Sequence, residues 1–466
     1  MVRGIANKEW DVETGVVVAG AGGCGMVAAL AAADKGVDVF ILEKWRRVEG
    51  NTALSQGMIP AAGTRFQQKA GIEDTPEKMA EDILRQNGYE SDPELTFALC
   101  RESKALVEWL VDQIGIDLQL VTDFKYTGFN EYRIHAPPSR TGRELLGQLK
   151  DAAMRRENIQ LLTECPVRDL LIDELGNVCG VVAGMETEEM AKCKKVILAC
   201  NGFGANREML KTYCPEIVDA LYFNHPGNTG DGIRWGMELG AATEHMDAYQ
   251  AHATVCSSQG MLVTWVVIIH GGILVNEEGK RFGNEAKKGY SEYAHHVLEQ
   301  PEGIAYVIFG EHTYHTVLEH FEEFRQLVDA GGVRKADNVQ ELARVLRLDT
   351  PNLSRTIDAY NHARLSGADD FGRTTFGEEL RGPLYGIPVV AALFHTQGGL
   401  KINTRAQVLR TDGTVIPGLY AGGGVAVGIS GSGADGYLAG NGLLTALGWG
   451  KIAGEDAADS ILSGRN

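Results

Sequence analysis

Hydrophobic positions along the chain switch between two periods. Gly15–Gly20 reads GVVVAG, a β-branched run closed by glycine, and leads into AGGCGMVAALAAADKG, an alanine-rich stretch closed by Gly36. A second apolar run, VDVFILEK, follows directly. Short β-branched runs predict buried strands and the alanine-rich stretch predicts a helix, so residues 15–44 read as one strand–turn–helix–strand unit. Helical patterns dominate from Thr75 to about Ile116, where Thr75 and Pro76 supply an N-cap and a first helical residue. VRDLLIDELGNVCGVVAG predicts a hairpin around Gly176 and Asn177, and Lys194–Cys200 (KKVILAC) another buried strand that ends in NGFGAN.

From Tyr249 to about Arg381 short strands mix with charged helices such as VLEHFEEFRQLVDAGG. Met261–Ile269 reads there as strand core, and Asn276–Gly279 (NEEG) as the tip of a solvated hairpin. The last section returns to a β pattern, then a glycine-rich turn and the helix GLLTALGWGKIAGEDAADSIL. No repeat occurs at solenoid spacing. The prediction is an α/β protein: a Rossmann-like nucleotide-binding domain built from both chain ends, residues 1–245 and 386–466, with an inserted α+β substrate domain at 246–385.

Composition narrows the function classes. With 466 residues, 44% hydrophobic and 23% charged, the chain has the make-up of a soluble enzyme of two or three domains. A net charge of −18 disfavours nucleic acid and anionic membranes as partners. The 58 glycines cluster in short loops, which suggests backbone brought close to a ligand. The eight cysteines form no CxxC pair, so no zinc or iron–sulfur site is expected, and free thiols imply a reducing compartment. No apolar run reaches the roughly 20 residues of a membrane helix, and the N-terminus lacks a secretory core. The expectation is a cytoplasmic protein with no membrane span and no metal.

Gly20-Ala21-Gly22-Gly23-Cys24-Gly25 matches GxGxxG between a strand and a helix. Gly20 permits the tight turn, Gly22 backbone approach to a pyrophosphate, and Gly25 close helix–strand packing. Glu43, at the end of the second strand, stands where an acid bonds a ribose hydroxyl. The chain continues KWRRVEGNTALSQGMIPAAGT, and here it resembles the flavoprotein superfamily of fumarate reductase and succinate dehydrogenase. The matching positions are Gly50, Asn51, Thr52, Ser55 and Gly57. The resemblance continues through VILACNGFGANREML, GNTGDGIRWGMELGA and GLYAGGG. It implies FAD, with Gly23, Lys44, Val167, Gly202, Asn206, Asp231, His395, Gly423, Asn441, Leu443 and Leu444 also at the cofactor. Asn51 stands where quinone-linked members carry a flavin-bonded histidine, so noncovalent FAD is implied. Gly424 replaces an acid that commonly holds the ribityl chain. No second GxGxxG follows a strand, so no dedicated nicotinamide site is evident.

On the substrate side the resemblance divides. Fumarate reductases grip two carboxylates with arginines and protonate with another. In GKRFGNEAKKGY and DGYLAGN, Gly289 and Tyr437 fall at arginine positions, and Trp265 and Ile268 fall on the charged proton path. The loop is instead similar to the 3-ketosteroid dehydrogenase branch. That likeness implies Tyr290 as the base beside a ketone, with Tyr437 and the Gly440 N–H on the ketone oxygen. Tyr290 sits one residue later than the usual spacing, and Tyr437 is shifted by one. Lys287, Lys288, Tyr126 and Tyr132 are alternative partners for the base. Gln250 and His252 match an element on the substrate side of the flavin; His252 reads equally as a structural histidine, and His135 resembles a site-edge residue. The expected reaction introduces a C=C bond next to a ketone in a cyclic apolar substrate, with hydride passing to flavin and an external electron acceptor. The alternative is an enone or enoate reductase on the same scaffold. Arg133, Arg140 and Arg143 are the open choices for holding a substrate carboxylate.

Overall fold

The structure, a computed structural model, describes residues 2–4 and 9–464. β1 (Val12–Ala19) buries Val16, Val17 and Val18 completely, α1 (Gly23–Asp34) leaves the glycine turn, and β2 (Val39–Leu42) returns parallel to β1 with Val39 opposite Val16. β3 (Ile159–Leu162) extends the parallel sheet beyond β2. β4 (Val167–Ile172) and β5 (Val178–Ala183) form the hairpin read from the sequence. β6 (Glu189–Leu198) pairs antiparallel with β5 at its start and parallel with β1 along its length. A nine-stranded sheet results, whose parallel centre carries the glycine turn at its C-terminal edge.

A second, seven-stranded sheet is organised around one long strand. β7 (Tyr249–Cys256), β8 (Ile304–Gly310) and β9 (Leu384–Thr396) are antiparallel neighbours, with β9 between the other two. All eight residues of β7 are buried. In this register Gln250 lies opposite His395, and a bulge follows between Gln250 and Ala251. Two helices, α2 (Glu311–His320) and α3 (Glu322–Asp329), follow β8. β10 (Val415–Ala421) returns the chain to the first sheet beside β6, and α4 (Asn441–Leu462) closes the fold.

Helices α1 and α4 meet through their smallest residues. Gly450 and Gly454, one turn apart, present one face. A Cβ there would lie 2.6 Å from the Cys24 carbonyl oxygen and 2.2 Å from that of Ala28. Any larger residue would separate the helices, and with them the N-terminus of α4 from the glycine turn.

Two predicted elements differ. Only Met261 and Leu262 of the Met261–Ile269 run are strand, while Val266–Ile269 is a short helix. The break comes at Thr264 and Trp265: the Thr264 hydroxyl accepts the Val266 N–H at 3.4 Å, and the Trp265 ring is buried against His252, Tyr290 and Tyr293. Asn276–Gly279 does form a turn, closed by Gly279 N–H to the Asn276 carbonyl at 2.9 Å, but the hairpin is limited to one bridge between Val275 and Arg281. Arg281 instead turns inward to Glu285 and Asp369, both at 2.6 Å. That nearly buried ion network, joined by Arg373 to Glu285 at 3.2 Å, anchors the loop leading to Tyr290. No helix among the described residues is long and apolar enough to cross a membrane.

Candidate active site

One continuous cavity of about 1730 Å³, its open mouth included, runs from the first glycine turn to the seam between the two sheets. Its wall joins the glycine turn, Glu43 and Lys44 at one end to Tyr126, His252, Tyr290, Phe394 and Tyr437 at the other.

At one end the glycine turn supplies the wall. Gly20 has φ +108°, and Gly25 approaches so closely that a Cβ would lie 1.9 Å from the Gly20 carbonyl oxygen. Gly22 is different: a Cβ there would meet no atom within 4 Å, yet it lines the cavity. Nothing in the fold requires glycine at this position, so the residue fits approach by a ligand. Glu43 accepts the Ala21 and Trp45 N–H groups, each at 2.9 Å. Lys44 pairs with Asp231 at 3.2 Å and donates to the Thr229 hydroxyl at 3.2 Å. Burial raises the Asp231 carboxyl, but the Thr229 hydroxyl and the Lys44 ammonium outweigh it and hold the group below the usual range. Among the described residues no His, Cys, Asp and Glu cluster is arranged for a metal.

The middle of the cavity is lined by Gly23, Gly50, Asn51, Thr52, Ser55, Val167, Gly423 and Leu443. Thr52 Oγ1 accepts the Gly23 N–H at 3.1 Å, and Ser55 Oγ accepts that of Gly57 at 3.1 Å. Asn51 Oδ1 is used by Asn228 at 2.6 Å, whereas its Nδ2 is buried with no hydrogen-bond partner. An unsatisfied buried donor in a cavity wall asks for a ligand acceptor. Together with open Gly22, it makes the donor set a fit for FAD. Asn201, which the sequence reading passed over, lines the same wall with φ +67°. A Cβ at Gly424 would lie 2.3 Å from its Oδ1, so Asn201 occupies space that a side chain at Gly424 would need. An asparagine directly after a buried strand, before glycine, was the available signal.

Six residues assigned to the cofactor or its turn lie behind the wall. Gly25 and Gly57 are packing positions; a Cβ at Gly57 would lie 2.8 Å from the Thr141 carbonyl oxygen. Gly202 faces the Thr396 hydroxyl, with a virtual Cβ at 2.1 Å. Asn206 caps Arg207–Tyr213, accepting the Met209 N–H at 3.2 Å and donating to the Thr229 carbonyl at 3.0 Å. Asn441 donates to Ser430 Oγ at 3.2 Å, and Leu444 is fully buried.

The other end is aromatic. Rings of Phe394, His252 and Tyr290 stack in series, with centroids 5.1 Å and then 4.5 Å apart. Tyr290 also faces Tyr437 at 6.1 Å and Tyr126 at 6.2 Å, and His395 faces Tyr437 at 5.9 Å. Gly440, with φ +85°, begins α4, and its neighbour Gly442 donates its N–H to the Tyr437 hydroxyl at 3.2 Å. The Tyr290 hydroxyl donates to that of Tyr437. Burial pushes the Tyr437 phenol up to about 12, while the two donors partly offset it. Tyr290 is raised further by burial, by both neighbouring phenols and by its donated bond. Burial lowers His252 to about 3 and His395 to about 4. His252 Nδ1 accepts the Thr254 N–H at 3.2 Å, which leaves the proton on Nε2. Every titratable ring here is neutral near pH 7.

None of the alternative partners for Tyr290 supplies a positive charge. Lys288 reaches Asp435 at 3.5 Å, and neither Lys287 nor Tyr132 lines the cavity. Tyr126 does line it, with its hydroxyl 3.3 Å from Gln56 Oε1. Arg133 is committed to buried Asp74 and Asp82, and Arg140 pairs with Asp123 at 2.7 Å. Arg143 is also outside the wall. His135 is a buried structural histidine between Thr64 Oγ1 at 3.0 Å and the Arg133 carbonyl at 2.9 Å, away from the cavity. Trp265 and Ile268 pack behind the rings. Phe394, Leu262, Met58 and Gln56 line this end without having been singled out; the residue before His395 and the one between Ser55 and Gly57 were the nearest hints.

Comparison with known proteins agrees with this geometry. Residues 15–443 match the FAD binding domain family. The chain is 35% identical over 449 residues to a fumarate reductase (cytochrome) of Shewanella frigidimarina, covering 95% of this chain and 76% of that protein. The open conformation of a flavocytochrome c3 fumarate reductase superposes with a TM-score of 0.80 at 31% identity, covering 97% of this chain and 79% of the other. A 3-ketosteroid Δ4-(5α)-dehydrogenase of Rhodococcus jostii, in complex with 4-androstene-3,17-dione, superposes with a TM-score of 0.74 at 28% identity, covering 97% and 98%. The chain belongs to the FAD binding domain family and is an FAD-dependent oxidoreductase of the fumarate reductase type.

Proposed function

We propose that the protein interconverts a C–C and a C=C bond beside the carbonyl of an uncharged, cyclic, largely apolar ketone. The observation that carries this reading is the hydrogen-bonded phenol pair Tyr290–Tyr437 at a cavity end lined by rings and aliphatic groups. The lining cations, Lys44 and Arg47, belong to the glycine-turn end beside Glu43. Gripping a dicarboxylate calls for guanidinium groups, and Arg133 and Arg140 are already paired elsewhere. Likeness to a ketosteroid dehydrogenase supports the ketone class.

The glycine turn and Asn51 would hold noncovalent FAD, which would supply the two-electron carrier chemistry at the substrate β-carbon. Tyr437 and the Gly440 N–H, just before α4, hold the carbonyl oxygen. Such donors stabilise developing enolate charge by about 3 kcal/mol each. Tyr290 exchanges the α-proton. Its phenol is protonated at neutral pH, so the proton that reduction of the enone consumes is already in place. Likeness to fumarate reductases supports the same direction. Desaturation, the reverse flow, requires that proton to leave the site first. An external electron carrier completes the cycle.

The test mixes anaerobic, dithionite-reduced holoenzyme with 2-cyclohexen-1-one, 4-androstene-3,17-dione or fumarate and follows the return of oxidised flavin absorbance. Reoxidation by an enone, slowed about a hundredfold in Tyr290→Phe, is expected. Reoxidation by fumarate alone, or an unaffected variant, sinks the reading.

A further inference from the structure

Three tyrosines at the ring end come from three loops, and one side chain outside the cavity meets all three loops. Gln86 is the last residue of the helix Pro76–Gln86 and does not line the cavity. Its amide nitrogen lies 3.1 Å from the Lys288 carbonyl oxygen and 3.3 Å from that of Asp435, so one N–H serves each. An amide oxygen at that point would repel both carbonyls, which fixes the orientation of the group. Lys288 stands two residues before Tyr290, and Asp435 two before Tyr437. The third loop closes on the other end of the amide. A Cβ on Gly128, two residues after Tyr126, would lie 3.2 Å from Gln86 Oε1.

The loops of Tyr437 and Tyr290 are held unequally. The first is seated on the residues that follow the helix. Asn87 donates to the Ile429 carbonyl at 3.0 Å, Glu90 accepts the Ser432 N–H at 2.9 Å, and a Cβ at Gly436 would lie 2.6 Å from that of Asn87. The second is held from the opposite side, where the Ala253 N–H donates to the Tyr290 carbonyl at 3.0 Å. Just before Tyr290, Gly289 has φ +111° and a Cβ there would meet nothing within 4 Å, so this backbone turns easily. Gln86 and the Lys288–Asp435 ion pair at 3.5 Å join the two loops. The ion pair is solvent-exposed and contributes little.

We propose that Gln86 is a positioning residue, which fixes the Tyr290 loop against the Tyr437 loop so that their phenols stay in register. It touches no reacting atom. The inference rests on the function proposed above, in which Tyr290 serves the α-carbon and Tyr437 the carbonyl oxygen of one substrate. Those two atoms have a fixed separation, and a misplacement of about 1 Å costs up to about a hundredfold in rate.

The test compares Gln86→Leu, Gln86→Glu and Gln86→Lys with wild type in enone-driven flavin reoxidation. Leucine removes the donors, glutamate keeps the size but turns lone pairs to both carbonyls, and lysine gives up the shape but keeps N–H groups. The first two are expected to lower the limiting rate about tenfold at an unchanged half-saturating enone concentration, and lysine to recover most of it. Packing alone would make the isosteric glutamate the mildest change; that order, or wild-type rates throughout, overturns the proposal. A second readout needs no substrate: fluorine NMR spectra of holoenzyme labelled with fluorotyrosine, its lines assigned by Tyr290→Phe and Tyr437→Phe. Both lines should shift in Gln86→Glu and return in Gln86→Lys with FAD content unchanged, and lines that stay in place refute the proposal. Failure of every enone with shifted lines condemns the proposed reaction and not the positioning role.

Discussion

The two ends of the cavity are made of opposite materials. At the glycine turn the wall is backbone, and its charges are satisfied: Glu43 by two N–H groups, Lys44 by Asp231. At the far end the wall is rings, and burial drives Tyr290, Tyr437, His252 and His395 to their neutral forms. The first end binds by shape and fixed donors. The second selects by excluding charge and keeping protons in place. Changes at the first end should therefore alter folding and cofactor retention, and changes at the second should alter turnover and the pH response while leaving the cofactor in place.

Gly25→Ala is the hardest break. Its Cβ would lie 1.9 Å from the Gly20 carbonyl oxygen and 3.0 Å from its carbonyl carbon, backbone that has no flexible side chain to yield. The expected cost is about 3 kcal/mol or more, seen as loss of soluble, flavin-loaded protein. Soluble yellow protein with an unchanged Tm would show that the turn is looser than it looks. Next comes Tyr437→Phe, which removes one donor from the ring end and should lower kcat about a hundredfold, roughly 3 kcal/mol, without changing FAD content. A matching loss of flavin would place Tyr437 in the cofactor wall instead. Gly22→Ala is milder still. Its Cβ meets no protein atom, so the apo Tm should hold while FAD affinity falls about tenfold, read by flavin fluorescence titration.

The same contrast explains what the sequence made legible. The first end could be read because backbone approach demands glycine at fixed spacing, and because the apolar runs around it have one period each. The hairpin at Gly176 and the helices after Thr75 were equally local. The Met261–Ile269 run was not, because burial of Trp265 against three rings overrides a strand-like pattern. The ring end draws Tyr126, His252, Tyr290, Phe394 and Tyr437 from five separate stretches. No spacing rule links them; only family resemblance reached the two tyrosines, and nothing reached Phe394. Asn206 and Asn441 do not line the cavity: Asn206 caps a helix, and Asn441 donates to the buried Ser430 hydroxyl.

The smallest expected effect tests the neutrality of the ring end through stability. His252 is lowered by burial from an ordinary value of about 6.5 to about 3. A depressed histidine contributes stability that is present above its unfolded value and lost as pH falls toward its folded value, because the unfolded chain binds the proton first. By about pH 5 the loss from this one ring is about 2 kcal/mol. His395 adds to the wild-type slope in the same window, down to about 4. In thermal melts of holoenzyme, Tm should fall from pH 6.5 downward. The fall should be shallower by about 2 °C at pH 5 in His252→Asn, whatever the variant costs at neutral pH. Parallel curves would mean that His252 takes up its proton without resistance, and a ring end that admits charge could no longer select an uncharged ketone on that ground.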